Sequence, residues 1–204
     1  HRERNFMGKL QIFGSTRSRA MRNIWLAEEL GLDYDQRLKD EAGLDYLSVN
    51  PSGKVPSIDD DGLVISESMA INMYLAKKHG GELAPKDLAE DAAMLQWTFW
   101  AMTEVESNAL TILFNRALKP EDERDNAKAD QCEADLQKPL GVLNDALASR
   151  QWLVGERFTV ADLNASAVFS WVKMGRVNLE AFPHIADWMG RCLGRPTLVK
   201  LLKG

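Results

Sequence analysis

Residues 9–35 read KLQIFGSTRSRAMRNIWLAEELGLDYD, and the punctuation of this stretch sets the architecture of the first half of the chain. Residues 9–13 (KLQIF) form a short strand pattern that Gly14 closes. From 18 to 30 the apolar residues Met21, Ile24, Trp25, Ala27 and Leu30 recur at helical spacing. Gly31 follows as a C-terminal cap. Residues 33–38 then read as a second strand. A strand, a helix and another strand in close succession imply a parallel pair joined by a right-handed crossover.

The pattern continues outward from there. Residues 42–49 predict a short helix, and Pro51 and Gly53 mark a loop. Residues 55–58 and 63–65 flank Asp60-Asp61-Gly62, which reads as a hairpin turn. Ser68–His79 is a further helix, closed by Gly80-Gly81. The expected result is a small mixed sheet with helices packed on it. After Pro85 the strand signals stop. Helical patterns run over 88–117, 126–148, 160–173 and 185–193, followed by a short tail. The expected organisation is therefore an α/β domain over 7–84, a linker over 85–90 around Pro85-Lys86-Asp87, and an all-helical domain over 91–204. Thr159-Val160-Ala161-Asp162 has the form of a capping box, a structural device in which Asp162 reaches back to the amide of Thr159.

Composition narrows the function classes. The chain has 204 residues and a formal net charge of −5, so the basic stripe of a nucleic-acid binder is not expected. Its two cysteines, Cys132 and Cys192, are far apart and form no CxxC pattern, so neither a disulfide framework nor a zinc site follows, and no metal is expected. Free thiols suit a reducing, cytoplasmic setting. No apolar run approaches the ~20 residues needed to span a bilayer, so no membrane role is expected. The opening HRERNF is polar and lacks the apolar centre of a secretory signal, and Met7 reads as the natural start.

Four blocks in order now carry a resemblance: residues 9–35, NPSGKVPSI at 50–58, ISESMAINMYLAKKHG at 65–80 and WLVGERFTVADL at 152–163. Together the chain resembles the glutathione S-transferase family over nearly its whole length. The resemblance implies a thioredoxin-like glutathione-binding domain followed by a helical bundle, and a homodimer. Among its classes the turn is similar to the serine-type ones, theta, tau and zeta.

The same resemblance places the tripeptide. Glu67 and Ser68 sit at a helix start, where amides without intrahelical partners carry the positive end of the helix dipole and suit a carboxylate. In the family the matching pair holds the γ-glutamyl end, Ser68 its carboxylate and Glu67 its ammonium. The resemblance further implies a cis bond at Val55-Pro56, turning the Val55 main chain outward to pair with the cysteinyl backbone like an added strand. Lys54 could reach the glycyl carboxylate as a point charge, with Lys39 as a weaker candidate.

The sulfur needs a donor. A free cysteine-like thiol has a pKa of about 8.5, and lowering it by two units takes about 2.7 kcal/mol of preference for the thiolate. A hydrogen bond to a charged acceptor supplies roughly 1.5–3 kcal/mol, so one well-aimed hydroxyl suffices. The turn offers Ser15, Thr16 and Ser18. Aligned with the serine-type classes, Ser15 is the activating hydroxyl. Aligned with the bacterial beta class, Ser18 falls where a cysteine stands. Ser15 is preferred, because Ser18 also suits a helix N-cap. Arg17 and Arg19 stand close by in the sequence. The zeta isomerases resemble SSCSWRVR here, whereas this chain has STRSRAMR, with Arg17 in place of the cysteine.

The function expected from all this is transfer of glutathione, as co-substrate, to small apolar electrophiles, with glutathione-dependent peroxide reduction as a companion activity. A zeta-like maleylacetoacetate isomerase and a non-enzymatic interaction module of the same fold are the alternatives. Met94, Trp97, Phe99, Trp100, Met102, Leu110 and Phe114 could wall an apolar subsite, though core packing is the stronger reading for each.

Overall fold

The first strand, β1 (Leu10–Phe13), runs parallel to β2 (Tyr34–Arg37), with Leu10 opposite Tyr34 and Phe13 opposite Arg37. The crossover between them is α1 (Ala20–Glu29). Of the spaced apolar residues, Ile24, Trp25 and Ala27 are buried while Met21 and Leu30 are half-buried, and Ala20, Arg22, Asn23 and Leu26 are buried as well, so most of the helix circumference is covered. In this computed structural model residues 9–203 are described; the reading of HRERNF and Met7 concerns residues outside that range.

The helix α2 is confined to Tyr46–Val49 rather than 42–49, because Gly43 takes a φ of +82° that interrupts it. The third strand, β3 (Ser57–Asp60), lies antiparallel to β1, and β4 (Leu63–Ser66) antiparallel to β3. The sheet order is β2-β1-β3-β4. Asp60 is still paired, with Leu63, so the turn is only Asp61-Gly62. Both residues have positive φ, +56° and +89°, which is the two-residue geometry that matches strand twist. The helix α3 spans Ser68–His79, as the sequence predicts, and packs against α1. Ile12, Ile58, Ile71 and Leu75 are fully buried at the centre of this sheet-and-helix unit. Tyr74 and Lys78 of α3 both donate to the buried Asp60 of β3, at 2.8 and 2.5 Å.

The chain divides between Gly80 and Gly81 into two compact units. The second is all helical. Its first helical stretch runs as α4 (Leu88–Trp100), a π-helical segment Ala101–Glu106, α5 (Ser107–Leu113) and a second π-helical segment Phe114–Leu118. Side chains bond main-chain carbonyls one turn back along this stretch, Thr111 to Ser107 and Asn115 to Thr111. Three more substantial helices follow: α6 (Asn126–Leu147), α7 (Val160–Met174) and α8 (Pro183–Leu193), with α9 (Pro196–Leu201) as the tail.

The capping box at Thr159 is present, with the Thr159 amide donating to Asp162 at 3.0 Å. Asp162 does more than cap. It is buried and also accepts from the Leu153 amide and the Trp188 indole, each at 2.9 Å, tying the loop before α7 and the helix α8 to the start of α7. Burial pushes its carboxyl above the usual range, against the pull of these donors. Beside it Phe169 meets Trp188 edge to face at 5.5 Å and Trp100 at 6.4 Å. Met94 and Trp97 are buried, and Trp97 and Trp100 pack together, so these members of the sequence-derived apolar set serve the bundle core. Phe99 and Phe114 are exposed.

Candidate functional site

The site is built around the exit of β1. Gly14 adopts a φ of +128°, a region essentially closed to other residues. Its amide donates to the Arg37 carbonyl at 2.8 Å, and its carbonyl accepts from the Gln36 side chain at 3.0 Å. A Cβ at this position would lie 2.6 Å from the Ala20 Cβ and 3.2 Å from both Ser18 Oγ and Val55 Cβ. The missing side chain is what lets the Ser15–Ser18 turn close on the start of α1 and against the Val55 loop.

Within the turn the three hydroxyls differ. Ser18 Oγ donates to the Ser15 carbonyl at 2.8 Å and accepts from the Ala20 amide at 3.2 Å. Its proton is committed to local structure. The helix N-cap position is Arg19, one residue later than expected, and Ser18 instead forms the hydroxyl turn that precedes it. Thr16 is exposed at the corner of the turn. Ser15 is half-buried, and among the described residues nothing hydrogen-bonds its hydroxyl.

The second wall is the loop 50–56. The Val55-Pro56 bond is cis. The Lys54 carbonyl accepts two bonds, from Tyr46 Oη at 2.7 Å and from Asn50 Nδ2 at 2.8 Å. Asn50 also organises the turn, accepting from the Ser52 amide and hydroxyl and receiving the Gly53 amide on its own carbonyl. Among the described residues the amide and carbonyl of Val55 enter no hydrogen bond, so this segment presents a free main-chain edge. The Lys54 and Lys39 side chains are exposed.

The third element is the start of α3. Glu67 precedes it with φ +74° and ψ 111°, a strained conformation for a residue with a side chain. No side chain caps the helix, so its first amides keep their donors free. Ser68 is buried, and its hydroxyl accepts from Arg22 Nη1 at 3.2 Å. That leaves the hydroxyl proton for an incoming acceptor. Asn23 Nδ2 donates to the Ser68 carbonyl at 2.8 Å and to Asn72 at 2.7 Å, locking α1 to α3. Helix dipole, orphan amides, a hydroxyl and a buried guanidinium converge on one spot, which is favourable for a carboxylate.

Arg22, Asn23, Tyr46 and Asn50 were not singled out by the sequence. Arg22 and Asn23 interrupt an otherwise apolar helix face (RAMRNIW), and that interruption is the one signal that points to them. Among the described residues no cluster of histidine, cysteine, aspartate and glutamate could hold a metal ion, and no helix is long and apolar enough to cross a membrane.

A mixed-sheet, thioredoxin-like unit carrying a free strand edge beside a cis proline and an uncapped, cationic helix start defines a class of domain suited to an extended anionic peptide. Comparison with known proteins gives the family. Residues 8–77 match the model of the glutathione S-transferase N-terminal domain, and residues 105–196 that of the C-terminal domain. The chain is 36% identical over 159 residues to the glutathione S-transferase GstA of Escherichia coli O157:H7, covering 76% of each. A theta class glutathione S-transferase from Xanthomonas axonopodis pv. citri, solved with glutathione bound, superposes with a TM-score of 0.83 at 29% identity, over 95% of this chain and 97% of that one. A glutathione transferase from Burkholderia graminis, with two glutathione molecules bound per subunit, gives a TM-score of 0.83 at 26% identity, over 96% and 88%. This chain belongs to the glutathione S-transferase family.

Proposed function

We propose that this chain is a glutathione transferase that binds the tripeptide on its first domain, 7–84, and presents its thiolate to small apolar electrophiles. A linker over 85–90 and the helical domain, 91–204, follow. The γ-glutamyl carboxylate takes the Ser68 hydroxyl and the free amides of α3, with Arg22 behind them, and Glu67 takes the ammonium. The cysteinyl main chain pairs with Val55 beside Pro56, and Lys54 meets the glycyl carboxylate. The Ser15 hydroxyl donates to the sulfur. The enzyme works as a cytoplasmic homodimer, and peroxide reduction by the same thiolate accompanies conjugation.

The observation that carries the choice of hydroxyl is the state of Ser18. Its proton already serves the Ser15 carbonyl, while among the described residues the Ser15 hydroxyl is uncommitted. The chemistry asks only for preferential solvation of a thiolate. At pH 7 a thiol of pKa about 8.5 is only a few per cent ionised, and one bond worth roughly 1.5–3 kcal/mol lowers the pKa by about one to two units. Serine acts as a donor and never needs to be a base.

The test compares Ser15→Ala and Ser18→Ala. Ser15→Ala retains glutathione affinity by calorimetry, while its conjugation rate at neutral pH falls roughly 10- to 100-fold and recovers at alkaline pH. Ser18→Ala melts earlier but keeps the pH profile. The reverse assignment of the two profiles transfers the role to Ser18, and an absence of glutathione heat in the unmodified protein supports a non-catalytic module instead.

A further inference from the structure

The proposed function needs two groups on separate segments at a fixed spacing: the Ser15 hydroxyl, which meets the sulfur, and the Val55 main chain, which meets the backbone of the same cysteinyl residue. A misplacement of about 1 Å weakens such paired contacts severely. One buried side chain joins the two segments. Tyr46, the first residue of the short helix α2, packs its ring against Phe13 with centroids 5.6 Å apart. Phe13 is the last residue of β1, and Gly14 and Ser15 follow it directly. The Tyr46 hydroxyl bonds the Lys54 carbonyl at 2.7 Å, immediately before Val55, and lies 2.9 Å from Ser57 Oγ on the far side of Pro56.

The protons of this chain can be placed. A phenol has one proton, and the carbonyl of Lys54 can only accept. The Tyr46 proton therefore points to Lys54, and the fully buried Ser57 donates to Tyr46. The relay Ser57 to Tyr46 to Lys54 brackets Val55-Pro56 from both sides, with each bond polarising the next. Ser57 is itself the register partner of Phe13, so the ring and the hydroxyl of one residue clamp both ends of the same joint.

We propose that Tyr46 is a positioning residue for glutathione: it holds the Val55 edge at the distance from Ser15 that puts the bound sulfur on the hydroxyl. This rests on the transferase reading above. It adds that the bound thiol's acidity depends on a group that touches neither sulfur nor peptide.

Tyr46→Phe keeps the ring contact and removes the hydroxyl. With the full-length protein, glutathione affinity is measured by calorimetry, and the pKa of the bound thiol by ultraviolet thiolate absorbance as pH is varied. The expected result is a Kd raised roughly 2- to 10-fold together with a bound-thiol pKa raised by about one unit. A protein that merely lost stability would lower its melting temperature and leave the bound-thiol pKa in place, so an unmoved pKa overturns the proposal whatever happens to affinity. Should Tyr46→Phe fail to fold, Ser57→Ala carries the same test, because it removes the donor to the Tyr46 hydroxyl and so weakens the relay at its other end. A wild-type protein that gives no glutathione heat refutes the transferase reading and this proposal with it. Wild-type binding alongside an indifferent Tyr46→Phe refutes the proposal alone.

Discussion

Replacing Gly14 with alanine tests the joint on which the site is built. Two penalties follow from the structure. The first is conformational: φ is +128°, and the residue is held on both sides, by its amide on Arg37 and its carbonyl on Gln36, so it cannot rotate away without breaking the β1–β2 edge. Strain of this kind is of order 1–3 kcal/mol. The second is steric. A contact of 2.6 Å to the Ala20 Cβ falls well inside the roughly 3.5–4.0 Å at which carbon atoms attract. The neighbour is the first residue of α1, and it cannot swing aside as a flexible side chain would. Overpacking of this sort typically costs about 1–3 kcal/mol. The two overlap, because one backbone shift relieves both, and about 2–5 kcal/mol is the reasonable total. For a chain of this length that lowers the melting midpoint by roughly 5–15 °C. The same shift separates the Ser15 turn from Val55, so glutathione affinity falls at least about 10-fold, a loss of about 1.4 kcal/mol that the displaced contacts readily supply. Gly62→Ala is the control. Its φ is +89°, but a Cβ there meets nothing within 4 Å. It loses only about 1 kcal/mol, the left-handed penalty, and binds glutathione normally. Thermal melts followed by circular dichroism and calorimetric titration at a temperature where all three proteins are folded give both readouts. A Gly14→Ala protein that binds as well as wild type, or a Gly62→Ala protein destabilised to the same degree, removes the steric account.

Two further sites give predictions from the second unit. Arg157 donates to both Glu90 oxygens, at 3.0 and 2.7 Å, and to the Glu82 and Ala84 carbonyls, at 2.8 and 2.9 Å, tying down the segment that leads into α4. Arg157→Met strands these acceptors and is expected to destabilise by about 2–4 kcal/mol in chemical denaturation at neutral pH, with an unchanged midpoint counting against the clamp. The same pair sets an acid limit: the Arg157 guanidinium, and after it the Lys86 amide, hold the Glu90 carboxyl at about 2, down from 4.5. The folded state binds this proton less readily than the unfolded chain, so the pair's contribution is complete above about pH 4.5 and is lost as pH falls toward 2. The difference is about 1–3 kcal/mol once screening at the partly exposed carboxylate is allowed for. Denaturation midpoints measured down that window should fall more steeply in wild type than in Arg157→Met, and parallel curves contradict the assignment. Asp162→Ala leaves the Leu153 amide and the Trp188 indole without acceptors in a buried site. It should lose about 3 kcal/mol or more and refold poorly, and a stability loss under 1 kcal/mol would show that water replaces the carboxylate.

What the residues announced in advance, and what they withheld, divides along a physical line. Punctuation was readable: α3 spans Ser68–His79 and ends at the double glycine, as expected, whereas the compact units divide between Gly80 and Gly81 rather than after Pro85. These features depend on neighbours within a turn or two. The reading lost resolution where one residue's conformation is chosen by a distant partner. Asp60 looked like part of a turn and is a paired strand residue because Leu63 claims it and Tyr74 and Lys78 anchor its carboxylate. The helix α2 lost its first turn to the positive φ of Gly43, which no periodicity reports. The site divides in the same way. Ser15, Val55, Pro56, Glu67 and Ser68 came from the resemblance, whose motifs are contiguous in the sequence. Arg22, Asn23 and Tyr46 could not be named, because their roles exist only once α1 lies on α3 and α2 meets the end of β1: Arg22 meets Ser68, Asn23 meets Asn72, and Tyr46 meets Phe13. The choice among the hydroxyls shows the boundary most sharply. Ser15 and Ser18 are chemically identical and three residues apart, and the sequence separated them only by the suitability of Ser18 as a helix N-cap. In the closed turn the conformation open to Gly14 lets Ser18 fold back on the Ser15 carbonyl and spend its proton there. The proposed donor to the sulfur is thus chosen by subtraction: it is the hydroxyl that the fold has not already used.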